Sequence, residues 1–239
     1  MQLTLITPYR DRLAHLTNQL EWWAQYPDKS GIEWFVVEAT AAPSGPLPAL
    51  LSSHEIRYLH LPCPGPFHKT KALNLALNQV QGEFVAAFDV DLIPVGGTLA
   101  RHCWLAARSP HLLVTGYRLM CATETVALQA LDNALETATI GPEDQPTALR
   151  KHLLKGERFG VMPLLRRDRL LEIGGWDEAF VGWGAEDQDM IERYLMLEQG
   201  FCRSPELVYL HLAHNPTPGW NSEELTQQNR SYYYQTRQR

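Results

Sequence analysis

Three groups of residues have the types and spacing to do chemistry. Asp89-Val90-Asp91 closes a near-continuous apolar run that begins at Phe84. In an extended chain alternate side chains share a face, so Asp89 and Asp91 are expected on one side of a buried strand that Pro94 stops. Carboxylates at the carboxyl end of such a strand lie where open α/β sheets take ligands. Paired hard oxygens there suit a divalent cation that carries phosphates, Mn2+ or Mg2+, although an isolated pair of this kind is more often a turn or helix cap. The second group, Trp183-Gly184-Ala185-Glu186-Asp187-Gln188-Asp189, opens a helix expected from Glu186 to about Gln199, with Gly200 as its stop. Glu186 and Asp187 fall four residues before Met190 and Ile191, on the side expected to be buried, while Asp189 aligns with Arg193 and is expected to point outward. A helix N-terminus favours the ionised carboxylate that a general base needs, and plain N-terminal capping is the alternative. Trp176 and Trp183 beside these acids would suit a sugar ring stacked on indole. The third group is His211 and His214, a pair at a strand end that could ligate a metal or serve structure alone.

Other elements must position these groups. Leu3–Thr7 reads as a strand and Pro8-Tyr9-Arg10-Asp11-Arg12 as the turn into a helix whose apolar face is Leu13, Leu16, Leu20 and Trp23. Arg10 and Arg12 then stand at a strand end beside a helix N-terminus, a place suited to anions. Strands follow at Ile32–Val37 and Ile56–Leu61, then a stiff connector, Pro62-Cys63-Pro64-Gly65-Pro66. Lys69 and Lys71 near the start of the next helix oppose its dipole, a penalty of a few tenths of a kcal/mol each that a bound phosphate would offset. Phe67 could stack on a flat base, with a core position as the default. A helix over Leu99–Arg108, a strand over Leu112–Tyr117 and a helix over Thr123–Thr137, capped at Thr123, come next. Gly141–Gly156 reads as a mobile loop, a strand is expected over Phe201–Leu212, and Ser222–Arg239 is a polar, helix-prone tail whose Tyr232-Tyr233-Tyr234 run would pack on the body.

The chain has 239 residues, a net charge of −6 and 45% hydrophobic residues. A core of ordinary size is within reach, and the charge argues against a non-specific nucleic-acid binder. Four scattered cysteines with no CxxC pair argue against a zinc site or disulfide framework and fit a reducing compartment. No apolar run reaches membrane-spanning length and the first residues lack signal-peptide character. A soluble cytoplasmic protein is expected, with peripheral contact to a membrane surface left open.

Taken in order, these motifs resemble inverting glycosyltransferases of GT-A type, and most of all the β-1,4-galactosyltransferase family. Pro8-Tyr9-Arg10-Asp11-Arg12 is similar to that family's Pro-Phe-Arg-x-Arg segment. Phe67-His68-Lys69-Thr70-Lys71-Ala72-Leu73-Asn74 resembles its Phe-x-Arg-x-Lys-x-x-Asn, and Asp89-Val90-Asp91-Leu92-Ile93-Pro94 its metal motif. Trp183 to Asp189 resembles Trp-Gly-Gly-Glu-Asp-Asp-Asp, and His211 and His214 fall where the family has Met-x-x-His. The resemblance implies a single α/β domain of GT-A (Rossmann-like) type with a mostly parallel central sheet flanked by helices. Residues 1–120 would be its nucleotide-binding half, 121–220 its acceptor-binding half and 221–239 a tail. It also implies roles. Asp91 and His214, with His211 at the Met position, would hold Mn2+ (or Mg2+). Pro8, Arg10, Arg12, Phe67 and Lys69 would hold the uridine diphosphate, and Asp89 would touch the donor. Asp187 would be the base, Glu186 an acceptor ligand, and Trp183 would lie near both sugars. The implied partners are a UDP-sugar donor, of galactose or N-acetylhexosamine type, and a carbohydrate or glycolipid acceptor. Ala185 and Gln188 depart from the family's Gly and Asp, and Arg158 stands in place of a donor-selecting Tyr. The family's membrane anchor and stem are absent, which counts against a Golgi location.

Two rival readings remain. A sugar nucleotidyltransferase would carry a Gly-rich N-terminal phosphate loop, and Pro8–Arg12 contains no glycine. A non-catalytic sugar-binding module of the same fold would have little use for Asp187, Asp91 and His214 together.

Overall fold

The computed structural model describes residues 2–128, 139–140, 162–196, 200–214 and 222–237, with backbone alone for 139–140. The Gly141–Gly156 loop and Arg158 therefore lie outside the described residues.

Four strands of the first sheet are parallel: β1 (Leu3–Tyr9), β2 (Ile32–Thr40), β3 (Arg57–Pro62) and β4 (Phe84–Ala87). Together with the two-residue strand Leu165–Arg166, antiparallel to β4, they run in the order β3-β2-β1-β4 and then that short edge. Between them lie helices α1 (Leu13–Gln25), α2 (Leu47–Ser52) and α3 (Lys69–Leu77). The chain then enters a second sheet through β5 (Leu92–Pro94), followed by α4 (Thr98–Arg108), β6 (Leu112–Met120) and β7 (Thr139–Ile140). The short edge strand of the first sheet is β8, and after it come α5 (Arg167–Glu172), α6 (Glu186–Leu195), β9 (Gly200–His211) and α7 (Glu223–Arg237). The second sheet has the order β5-β9-β6-β7, with β6 and β9 parallel.

The first sheet is covered on both faces, which is why the central stretches Trp34–Val37 of β2 and Phe84–Ala87 of β4 read as unbroken apolar runs. Leu3 and Leu5 of β1 join a cluster with Leu16, Leu20, Trp22 and Trp23 of α1 and with Trp34 and Phe88. Ile6, the residue after Leu5, points the other way and joins the opposite cluster with Leu73 and Ala76 of α3, Trp176, and Met190 and Ile191 of α6. This confirms a mixed α/β fold with a mostly parallel central sheet.

Several local expectations are corrected. The run from Phe84 to Pro94 is two short strands in different sheets, and Asp89 to Asp91 form the turn between them, closed by Leu92 N–H donating to Asp89 C=O at 3.0 Å. Pro94 therefore does not end the first strand; it sits in β5, an edge strand, where a missing N–H is tolerated. Leu13 is 57% exposed, and the buried face of α1 carries His15, Asn18 and Gln19 beside the apolar residues. Thr123 does not start a helix: its hydroxyl donates to Thr125 C=O at 2.7 Å, and residues 123–127 are non-helical. The remainder of that expected helix, 129–137, lies outside the described residues. Helix α6 is described only to Leu195, and Gly200 opens β9. The expected tail helix forms as α7 and packs on the body. Tyr233, 1% exposed, donates to Glu192 at 2.9 Å, Tyr232 donates to Asp177 at 2.9 Å, and Arg237 pairs with Glu192.

Candidate active site

A cleft of about 320 Å³ opens where the carboxyl ends of β1 and β4 meet the second sheet and the start of α6. Of the residues singled out from sequence, Pro8, Arg12, Phe67, Lys69, Asp89, Asp91, Trp183, Glu186, Asp187, His211 and His214 line it. Arg10 does not. Its guanidinium donates to the carbonyls of Ala39, Cys63 (2.8 Å) and Gly65 (2.8 Å) and stacks 5.3 Å from the centre of the Phe67 ring. Arg10 thus ties the Pro-rich connector to β2 and backs Phe67, rather than reaching the cleft itself. Arg118 of β6 also lines the cleft. Nothing in its local sequence marked it, because only the pairing of β6 with β9 brings it near His211.

The turn out of β4 sends its two carboxylates to different partners. Asp91, 5% exposed, accepts from Arg12 Nη1 at 2.7 Å. His214 Nε2 lies 3.4 Å and His211 Nε2 3.7 Å from its two oxygens. One donor atom from each of these three residues falls within 4.8 Å of the others. Asp91 Oδ1 and His211 Nδ1 are buried without a hydrogen-bond partner, an arrangement that is costly unless something else satisfies such atoms. Burial raises the Asp91 carboxyl, but the pull of His211 in its protonated form, of Arg12 and of His214 outweighs it and holds the group below the usual carboxylate range. Burial pushes His211 down to about 4 against the pull of Asp91, which leaves a neutral imidazole. An ionised carboxylate and a neutral imidazole are the forms that ligate, so the set fits a divalent cation.

Asp89 turns instead toward Lys69, whose ammonium donates to Asp89 Oδ2 and to both oxygens of Asp187, all at 3.2 Å, with Glu186 Oε1 at 3.6 Å. One cation thus joins three carboxylates from two distant stretches of chain. Burial alone would lower the Lys69 pKa, yet Asp187, Asp89 and Glu186 hold it well above its ordinary value. Glu186, 6% exposed, is pushed up to about 7 by burial and by Asp187, with Lys69 opposing. Burial also raises Asp89, again against Lys69. The expectation that both acids of α6 face inward holds for Glu186, whereas the Asp187 side chain is 42% exposed to the cleft. Asp189 is the more enclosed of the two, 12% exposed and paired with Arg193 at 2.8 Å, so it does not point outward.

Helices α3 and α7 hold the loop before α6. Asn74 donates to Trp176 C=O at 2.8 Å and accepts from its N–H at 3.0 Å. Thr70 donates to Phe180 C=O, Gly182 N–H donates to Phe67 C=O, and Asn229 of α7 donates to the carbonyls of Val181 and Trp183. Gly175, at φ +73°, admits no Cβ, which would lie 2.7 Å from Asn74 Oδ1. Trp183 is left 52% exposed with its ring at the cleft.

Two expected results arise here. Ala185 caps α6 in the left-handed region at φ 66°. That conformation costs a non-glycine residue about 1–2 kcal/mol, while glycine loses about 0.4–1 kcal/mol through its freer unfolded chain. Ala185→Gly should therefore stabilise the protein by about 0.5 kcal/mol, read from urea midpoints at unchanged slope. Glu186 titrates near 7 folded against 4.5 in its ordinary state. A raised folded pKa means a contribution present below about pH 4.5 and lost as pH rises to about 7. Urea unfolding of Glu186→Gln should show a flatter decline of stability across that window, and an unaltered decline would reassign the effect.

Residues 149–215, which carry Trp183 to Asp189 and both histidines, match the family model described as the N-terminal domain of galactosyltransferase. Among curated proteins, no sequence matches the chain significantly. The solved structure of GalNAc-T7 with UDP, GalNAc and Mn2+ is 9% identical with a TM-score of 0.73, over 98% of this chain and 48% of that one. The mannosyltransferase PcManGT from Pyrobaculum calidifontis, in complex with GDP-Man and Mn2+, is 20% identical at TM-score 0.62, over 92% and 58%. Residues 1–349 of S. aureus TarS, in complex with UDP-GlcNAc, are 15% identical at TM-score 0.67, over 93% and 61%. The fold is that of the GT-A glycosyltransferases. Within that class the chain carries a galactosyltransferase-type segment, and it spans less than two thirds of each of these larger proteins. Among the described residues no helix is long and apolar enough to cross a membrane.

Proposed function

We propose that the protein is a metal-dependent inverting glycosyltransferase that moves a sugar, of galactose or N-acetylhexosamine type, from a UDP-sugar to a carbohydrate hydroxyl. The observation that carries this reading is the convergence on one cleft of Asp91, His211 and His214 with Lys69, Asp89, Glu186 and Asp187. Two imidazoles beside one carboxylate favour Mn2+ over Mg2+, which prefers oxygen ligands. A bound Mn2+ would supply Lewis-acid stabilisation of the diphosphate as it leaves. Pro8, Arg12 and Phe67 would seat the nucleotide, and Lys69 would meet the negative charge that develops as the anomeric C–O bond breaks. Trp183 would stack on the acceptor ring and Glu186 would bind one of its hydroxyls. Asp187, with its carboxylate open to the cleft, would take the proton from the hydroxyl that attacks the anomeric carbon, and UDP would leave on the opposite side. The free cysteines Cys63, Cys103, Cys121 and Cys202 suit work in the cytoplasm.

The test is UDP release from a panel of UDP-sugars with Mn2+, with and without simple sugar acceptors. Metal-dependent release from one donor establishes the class and names the donor. A protein that neither releases nor binds UDP refutes the reading.

A further inference from the structure

The buried face of α1 is partly polar: His15, Asn18 and Gln19 are 4%, 3% and 0% exposed. A buried carboxamide or imidazole is unfavourable unless hydrogen-bonded, so what each one grips is informative. Gln19 Nε2 donates to Asp89 C=O at 2.8 Å and to Leu92 C=O at 2.9 Å, the two ends of the turn that bears Asp91. The orientation of that amide is fixed, because a flip would set its oxygen against two carbonyls. One helical turn earlier, His15 Nε2 meets Ala213 C=O at 2.9 Å, the carbonyl of the peptide that leads into His214. A carbonyl only accepts, so Nε2 carries the proton. Residues four apart share a helix face, and here that face braces the turn that leads into β5 and the segment that follows β9, neighbouring strands of the second sheet that Leu212 N–H also links by donating to Asp91 C=O at 2.8 Å. Asn18 grips Val126 instead, donating to its C=O and accepting from its N–H at 2.9 Å, and takes no part in this pairing.

We propose that His15 and Gln19 are positioning residues that set the separation of Asp91 and His214, so that the rigid helix α1 fixes the geometry of the metal centre without touching the ion. The proposal rests on the metal reading above. It differs from simple stabilisation in what it predicts for the metal alone. Residues that orient metal ligands typically change affinity by roughly 10- to 100-fold when altered.

The experiment is a Mn2+ titration of the full chain, free ion followed by its paramagnetic resonance signal. The variants are Gln19→Met and His15→Phe, near-isosteric replacements that cannot donate, and Leu20→Val, an apolar change on the same helix. Gln19→Met and His15→Phe are expected to weaken Mn2+ binding by roughly tenfold or more. Leu20→Val is expected to lower the thermal midpoint with the Mn2+ affinity unmoved. Should Gln19→Met fail to fold, Gln19→Asn, whose carboxamide is one methylene short of both carbonyls, carries the same expectation. Wild-type affinity in a folded Gln19 or His15 variant overturns the proposal, as does an equal loss in Leu20→Val at matched midpoint. A wild-type chain that takes up no Mn2+ overturns the metal reading and this proposal with it.

Discussion

Asp187→Asn should lower sugar transfer by about 10²–10⁴-fold while leaving Mn2+-dependent UDP binding near its original strength. That loss corresponds to about 3–5 kcal/mol in the barrier, the contribution of a positioned base. The selectivity of the effect follows from placement. Asp187 stands on α6, with both oxygens 3.2 Å from Lys69 and its side chain 42% exposed. The groups proposed for the nucleotide and the ion lie instead on β1, in the turns before α1 and α3, in the β4–β5 turn, and at and just beyond the end of β9. Asparagine keeps the shape and one oxygen for Lys69 but has no useful basicity. The half-exposed position means that folding should suffer little. UDP release assays paired with calorimetric titration of UDP would separate the two quantities. Near-normal turnover in the variant would falsify the assignment of the base.

Asp91→Ala should abolish Mn2+-dependent UDP binding, by at least about 100-fold, since altering residues that merely orient ligands already costs 10- to 100-fold. Asp91 contributes the carboxylate of the Asp91–His211–His214 cluster and also accepts from Arg12, whose side chain is only 9% exposed. Removal leaves that guanidinium without its carboxylate, so some stability is lost as well. Asp91→Asn isolates the ion's share, because the amide keeps an acceptor for Arg12 but carries no charge for a cation. Calorimetry of UDP with Mn2+ and then with a chelator reads the difference. Undiminished metal-dependent binding in both variants would remove Asp91 from the site.

Much of this site is legible in the sequence because its groups sit at junctions that leave local marks. Glu186 and Asp187 precede an amphipathic helix, and the parallel strands announce themselves as apolar runs. The turn at Asp89–Asp91 left no such mark. Leu92 and Ile93 are as apolar as Val85 and Ala86, so composition hides that the chain has changed sheets. The error mattered chemically: a shared strand face would have aimed both acids at one ion, whereas the turn gives Asp91 to the histidines and Asp89 to Lys69. Lys69 looked like a phosphate ligand at a helix start, and its contacts with Asp187 across 118 positions have no local signature. Arg10 followed the motif, but its geminal nitrogens are taken by carbonyls of the Pro-rich connector. Thr123 has the side chain of an N-cap and precedes a helix-prone run, yet its hydroxyl donates to Thr125 C=O.

The crossing between sheets also bears on how the chain tolerates changes in length. Ala87 is held in register with Ile6 of the first sheet and Leu92 with His211 of the second, which leaves four residues, 88–91, to span the gap. A single residue added or removed there must either displace Asp91 from both histidines or slip β5 by one position, and a one-residue slip turns every side chain of a strand to its other face. Insertions should be far better absorbed between β2 and α2, in the exposed segment 41–46, where loop lengthening carries only a small entropic penalty. Length variation in this protein is therefore expected to collect in that connector and to be excluded from the span between Ala87 and Leu92.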